Sequence, residues 1–258
     1  MKLQRRLSPL IAALALLAVA CAPQPTREEG AQRPAQINVE LCKAYINEED
    51  YELAKAKCEK ALAQEPDYAP AHGAVAELYK RLGEYDKADR HFERAIRLDP
   101  DDSRTRNNYG VFLCIRERLG EAEEQFLKAV RNPLYETPHH AYTNAGVCAL
   151  RAGDMTKAEK YFRAALRSDP RLPLALFQMA LVSYEQEDYF QARAYVQRYM
   201  AAGRQTAASL WLGIRVERKL GDKDAASSYA LKLKSNFPDS EETRLLQQLE
   251  RDERQAGN

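Results

Sequence analysis

The side chains best equipped for chemistry in this 258-residue chain are five cysteines and four histidines. Two of the histidines, His139 and His140, are adjacent and would point about 100° apart on a helix, so they cannot readily share a metal ion. With His72 and His91, they read as polar residues at helix starts. No phosphate-cradling G-x-x-x-x-G-K loop, no G-x-S-x-G nucleophile turn and no H-E-x-x-H pair is present. Acidic neighbours such as Glu123 and Glu124 lie amid lysines and arginines, the pattern of a solvated helix face. Lys and Arg total 39 against 38 Asp and Glu, a net charge of +1. No cationic excess is available to displace counterions from nucleic acid. The residues therefore indicate no catalytic site, metal, cofactor, nucleic acid or small-molecule substrate.

Cysteine count and position point to a different chemistry. Lys2, Arg5 and Arg6 precede an apolar run from Leu10 to Ala20 that ends at Cys21. A run of eleven is too short to span a bilayer, which needs about 20 residues, and fits the core of an export signal. Leu17-Ala18-Val19-Ala20-Cys21 resembles a lipobox, in which cleavage before the cysteine leaves a lipidated N-terminus, although Ala18 stands where leucine is usual. Ala18-Val19-Ala20 also meets the A-x-A rule of ordinary secretory cleavage. Lipidation of Cys21 would leave an even set of four thiols, which suits an oxidising compartment. Ala22 follows, without the aspartate that retains lipoproteins in the inner membrane. Losing residues 1–20 removes three positive charges and moves the net charge from +1 to −2. Residues 21–34, rich in Pro, Gln and Glu, read as a flexible tether.

The elements that must position everything else announce themselves by a period. Ala54, Ala88, Ala122, Ala158, Ala192 and Ala226 follow at steps of 34, 34, 36, 34 and 34. Four residues after them come Cys58, Phe92, Phe126, Phe162, Val196 and Ala230, and twelve before them Cys42, Ala76, Gly110, Gly146, Ala180 and Ile214. Pro66, Pro100, Pro170 and Pro238 stand twelve after four of the alanines. A small residue midway along one helix lets a second approach, and an apolar residue fills the seam. Proline past the second helix ends it. This register resembles that of tetratricopeptide repeats, helix–turn–helix units of 34 residues. The fold class expected is an all-α, right-handed superhelical solenoid. Its six repeats cover 35–68, 69–102, 103–138, 139–172, 173–206 and 207–240, and a charged capping helix and tail cover 241–258. Gly83 and Gly153 suit left-handed helix ends. The two-residue excess falls between Asn132 and Pro138.

In such an array the concave groove is lined mainly by the first helix of each unit. The second and third repeats offer Glu77, Lys80, Arg81, Asn107 and Val111. The fourth and fifth offer Thr143, Val147, Phe177, Leu181 and Tyr184, and the sixth Trp211, Arg215 and Arg218. Phe177, Leu181 and Tyr184 recur at helical spacing, as either a core stripe or an apolar strip for a partner segment. Val39 and Glu77 occupy groove columns where a clamp for a C-terminal carboxylate would want Lys or Asn, which argues against that partner. Cys42 and Cys58 lie in core columns of the first repeat, as buried hydrophobes or as a disulfide. Cys114 and Cys148 are nearly equivalent by register on the first helices of neighbouring repeats, and a bridge across the longer junction is the preferred reading.

Asn107-Asn108-Tyr109-Gly110-Val111-Phe112-Leu113-Cys114 and Tyr142-Thr143-Asn144-Ala145-Gly146-Val147-Cys148 resemble segments of the PilF/PilW family of type IV pilus biogenesis lipoproteins. The likeness includes paired cysteines joining the third and fourth repeats and spans essentially the whole mature chain. It implies a pilotin, an outer-membrane lipoprotein that faces the periplasm. Its partner is then the secretin subunit, whose localisation and multimerisation it supports. The competing reading among binding proteins is a general periplasmic scaffold for outer-membrane or cell-wall machinery. An enzyme built on the array would need a pocket with a strongly shifted titratable group.

Substituting Cys21→Ser should abolish acylation and move the protein from membranes to the soluble periplasm, because several acyl chains hold a protein where one binds only marginally. Membrane fractionation reads this directly, and unchanged membrane association would point to another mode of attachment.

Overall fold

Fourteen residues make about four turns of helix, so a 34-residue unit has room for two such helices and two short connections. The computed structural model describes residues 33–203 and 205–256, and the signal segment, Cys21 and the tether up to residue 32 lie outside them. Thirteen α-helices and no strands are found among the described residues. The first three pairs are α1 (Pro34–Asn47) with α2 (Tyr51–Gln64), α3 (Ala69–Arg81) with α4 (Tyr85–Leu98), and α5 (Ser103–Ile115) with α6 (Leu119–Arg131). The next three are α7 (Pro138–Arg151) with α8 (Met155–Ser168), α9 (Pro173–Glu185) with α10 (Tyr189–Ala201), and α11 (Ala207–Leu220) with α12 (Lys223–Asn236). The last helix is α13 (Glu241–Ala256). The chain is an all-α solenoid of tetratricopeptide repeats.

Local chemistry sets the helix limits. Asp50, Asp154, Asp188 and Asp222 each accept a hydrogen bond from the backbone N–H three residues on, capping α2, α8, α10 and α12. Pro34, Pro70, Pro138 and Pro173 sit in first turns, where the missing N–H costs nothing. Between paired helices one residue is left-handed in every repeat. Gly83, Gly153 and Gly221 fill that place in three, and Glu49, Glu117 and Glu187 hold the same conformation in the others.

Packing within a repeat depends on a close approach. A Cβ added to Gly110 would lie 2.6 Å from the Phe126 ring, and one on Gly146 2.5 Å from the Phe162 ring. In the first repeat the equivalent pair is covalent, a Cys42–Cys58 disulfide with Cα atoms 5.3 Å apart. Between repeats the seam is aromatic around Phe92, whose ring lies 5.3 Å from that of Tyr109 and 5.5 Å from that of Phe112. A second disulfide, Cys114–Cys148, joins α5 to α7. The longest connection, residues 132–137, leads from α6 into α7. Asn132 folds that loop back by donating to the Asp101 carbonyl at 3.0 Å. At the far end α13 places Leu246 among Leu210, Ile214 and Leu233, and the Thr243 hydroxyl donates to the Phe237 carbonyl. The end of the stack is thereby covered with a charged outer face.

The close approach can be tested at Gly146. Helix propensity favours alanine by about 1 kcal/mol, whereas overpacking costs about 1–3 kcal/mol. Three Phe162 ring atoms would lie within 2.8 Å of the new carbon. With the ring this close, Gly146→Ala should destabilise by up to about 2 kcal/mol net, seen as a lower melting temperature. Adding Phe162→Leu should recover part of the loss, and strictly additive losses would show that the ring is not the obstacle.

Candidate protein-binding groove

The first helices turn a common face to one side of the stack, and four of them meet around a concavity of about 340 Å³. From α1 come Lys43, Ile46 and Asn47, from α3 Glu77 and Lys80, from α5 Asn107, Asn108 and Val111, and from α7 Asn144. Lys80 pairs with Glu77 at 2.7 Å, both side chains largely buried in the floor. Asn144 Nδ2 donates to Asn107 Oδ1 at 2.9 Å, a hydrogen bond that ties α7 to α5 across the groove. Carboxamides and ions dominate this half of the face, with Ile46 and Val111 among them.

The other half is apolar and aromatic. On α9, Phe177, Leu181 and Tyr184 are half-buried and rest against the core, while Leu174 is 47% exposed. Val147 on α7 is 37% exposed. The Phe177 ring lies 5.4 Å from that of Tyr199, and the Tyr184 ring 5.4 Å from that of Tyr189. The Arg215 guanidinium from α11 stands 4.2 Å above the Tyr184 ring. The strip is thus neither buried core nor bare groove, since each side chain offers one flank outward and packs the other inward.

Several expectations need correction. Thr143 is only 3% exposed, and its hydroxyl donates to the His139 carbonyl one turn back, so it does not line the groove. Its neighbour Asn144, which the repeat register passed over, reaches the concavity instead. Val39 is 1% exposed and belongs to the first repeat's core, while Lys43, one turn later, reaches the groove. Asn107 is 9% exposed yet still lines the concavity through its carboxamide, and Val111 lies beside it. Cys114 and Cys148 are 8% and 3% exposed, beneath the face rather than on it.

Titratable groups elsewhere are tuned by packing. Burial, with a hydrogen bond to Asp89, pushes the Tyr109 phenol above its ordinary range, and burial with Glu123 does the same for Tyr161. Both shifts disfavour the phenolate a base or nucleophile would need. The His139 and His140 rings lie 4.4 Å apart, nearer than a 100° splay predicts, because first-turn side chains can lean together. His72 Nε2 faces the Pro66 carbonyl at 2.9 Å and must carry its proton there. Its Nδ1 then accepts from His91 Nδ1, also at 2.9 Å. Burial above all, then His72 and Arg90, lowers the His91 pKa to about 4. No group of three or more His, Cys, Asp or Glu suited to a metal ion occurs among the described residues.

Tetratricopeptide-repeat family profiles match residues 45–107, 91–124 and 135–173. The chain is 32% identical over 213 residues to the type IV pilus assembly protein PilF of Pseudomonas aeruginosa, covering 83% of this chain and 84% of that one. The solved structure of Pseudomonas aeruginosa PilF superposes with a TM-score of 0.75 at 33% identity, over 83% of this chain and 96% of that structure. That of PilW, described as a widely conserved type IV pilus biogenesis factor, superposes with a TM-score of 0.74 at 33% identity, over 84% and 99% of the two chains.

The histidine pair yields a pH test. With the folded pKa of His91 at about 4 and the ordinary value at 6.5, the unfolded chain takes up the proton first as pH falls. The stability contribution is whole above pH 6.5 and drains away toward pH 4. Melting temperatures at pH 7 and pH 5 should differ in the wild type, and His91→Asn should shrink that difference. An unchanged difference would assign the acid sensitivity to other groups.

Proposed function

The chain belongs to the PilF/PilW family of type IV pilus biogenesis proteins, and from that premise we propose that it binds the pilus secretin subunit and supports its outer-membrane localisation and multimerisation. In this reading the protein is non-catalytic. It is anchored to the outer membrane by lipid on Cys21 and faces the periplasm. The observation that carries the reading is the face of first helices, polar around Asn107, Asn108 and Asn144 and apolar around Val147, Phe177, Leu181 and Tyr184. Outward-facing apolar side chains at helical spacing suit a partner helix or extended segment. The rest of the chain holds that face in place.

Truncation of the apolar half tests the proposal. Covering a large apolar side chain is worth up to about 1.5–3 kcal/mol, and these side chains are already half-buried. Val147→Ala with Leu181→Ala should weaken secretin binding by about tenfold. Secretin multimers in outer-membrane fractions and twitching motility should fall together, while circular dichroism stays helical. Normal multimers with a folded double variant would move the binding surface off this strip.

A further inference from the structure

Side chains in the tight turns of a repeat array are solvated on most sides, so polar types are expected there. The turns joining the paired helices of the second and third repeats depart from that expectation. Leu82 and Tyr85, on either side of Gly83, and Ile115, at the end of α5, are exposed large apolar side chains. Met155 repeats the pattern at the fourth repeat's turn. Arg116 reaches back across the repeat boundary, its guanidinium 4.7 Å from the centre of the Tyr85 ring. With Arg90 it lines a concavity of about 390 Å³ walled by residues 83–87. Neither arginine forms an ion pair among the described residues. Lys87 binds Glu84, Arg151 takes Glu117 and Arg118 takes Glu121. Of the carboxylates lining the concavity, only Asp86 remains to oppose the two guanidiniums.

Apolar side chains beside a tyrosine and two uncommitted arginines have the composition of an interfacial membrane contact. The apolar tips enter the headgroup boundary while the guanidiniums meet phosphates. The opposite edge of the stack, formed by the connections between repeats, has the contrary character. There Asp99, Asp101, Asp102 and Glu136 surround a concavity of about 730 Å³, with Arg104 the one cation of its lining. Anionic headgroups would repel that edge. We propose that the edge formed by the turns of the second to fourth repeats rests on a phospholipid surface. This depends on the reading that the chain is held at a membrane through Cys21. The tether permits it, because α1 has 14 residues and is about 21 Å long. The twelve residue steps from Cys21 to Arg33 (33 − 21) reach at most about 40 Å, enough to pass the whole length of α1 to the turn edge. Tethering also keeps the edge at high local concentration, so a patch too small to hold the protein alone can still orient it. The first helices then stand upright on the membrane. The groove opens along its plane, toward a partner embedded in the same bilayer.

The test needs no natural acylation. The mature chain from Cys21 is coupled through that thiol, the one cysteine outside the two disulfides, to maleimide lipid in vesicles. The vesicles are phosphatidylcholine and phosphatidylglycerol with brominated acyl chains, and Trp211 of the parent sets the background fluorescence. Tyr85→Trp should add emission that the bromine quenches, whereas Leu134→Trp, on the opposite edge, should add emission that stays unquenched. Adding Arg90→Glu and Arg116→Glu to Tyr85→Trp should shift the ratio of docked to undocked protein by about tenfold or more, with an unchanged melting curve. Raised salt, or vesicles without phosphatidylglycerol, should act in the same direction. An unquenched Tyr85→Trp variant, equal quenching at both edges, or quenching indifferent to the two arginines would overturn the inference. Edge-specific quenching in a protein whose Cys21→Ser form still fractionates with cell membranes would leave this orientation standing and remove the lipid anchor.

Discussion

One steric condition recurs in the array: in the third, fourth and sixth repeats the two helices approach until a ring on the second meets the backbone of the first, and in the first repeat a disulfide joins them. The contact joins residues 16 apart, Cys42 with Cys58, Gly110 with Phe126 and Gly146 with Phe162. In the sixth repeat it slides by one residue, and Gly213 faces Tyr229, whose ring would lie 3.0 Å from an added Cβ. Ile214 and Ala230, in the register columns there, invert the large and small partners instead. What the fold demands is a constant gap between helices, and bulk may come from either side of it or be replaced by a covalent bond. Interiors packed to crystal density tolerate no looser arrangement.

From that gap follows the exposure of the groove. A first helix held against its second helix, and against the next repeat, uses most of its circumference for packing, and the remaining stripe faces the same side in every unit. A residue's fate then turns on a rotation of about 100°, the step between neighbours on a helix. Thr143 falls inside and Asn144 outside.

That sensitivity explains what was legible in the sequence and what was not. Period, helix pairing and the Pro and Gly stops are repeated local physics, so six imperfect copies reinforced one another. The left-handed turn was readable at Gly83 and Gly153 but silent at Glu49, Glu117 and Glu187, where only the repeat position requires it. Groove membership was less legible, because column counting places a residue to within one position and the groove is about that wide. Nor does side-chain spacing reveal that Phe177 and Tyr184 divide their surface between core and solvent, since Tyr199 and Arg215, which cover them, come from other helices. The Cys42–Cys58 pair stayed undecided for a related reason: a small buried residue and a half-disulfide satisfy the same column.

The two chemical halves of the groove meet at α7, which contributes Asn144 to one and Val147 to the other. It is preceded by the longest connection in the array, the place where a stack of nearest-neighbour contacts has the least local constraint. The Cys114–Cys148 bridge and the Asn107–Asn144 hydrogen bond both cross from α5 to α7 at this joint. Arg151 adds a third tie, donating to the Cys114 carbonyl at 3.1 Å. A segment lying along both halves would have to pay for ordering a loose joint, and a joint already fixed removes that cost from binding. The cysteines thus act on the groove without touching its surface, by holding the polar and apolar halves in one geometry.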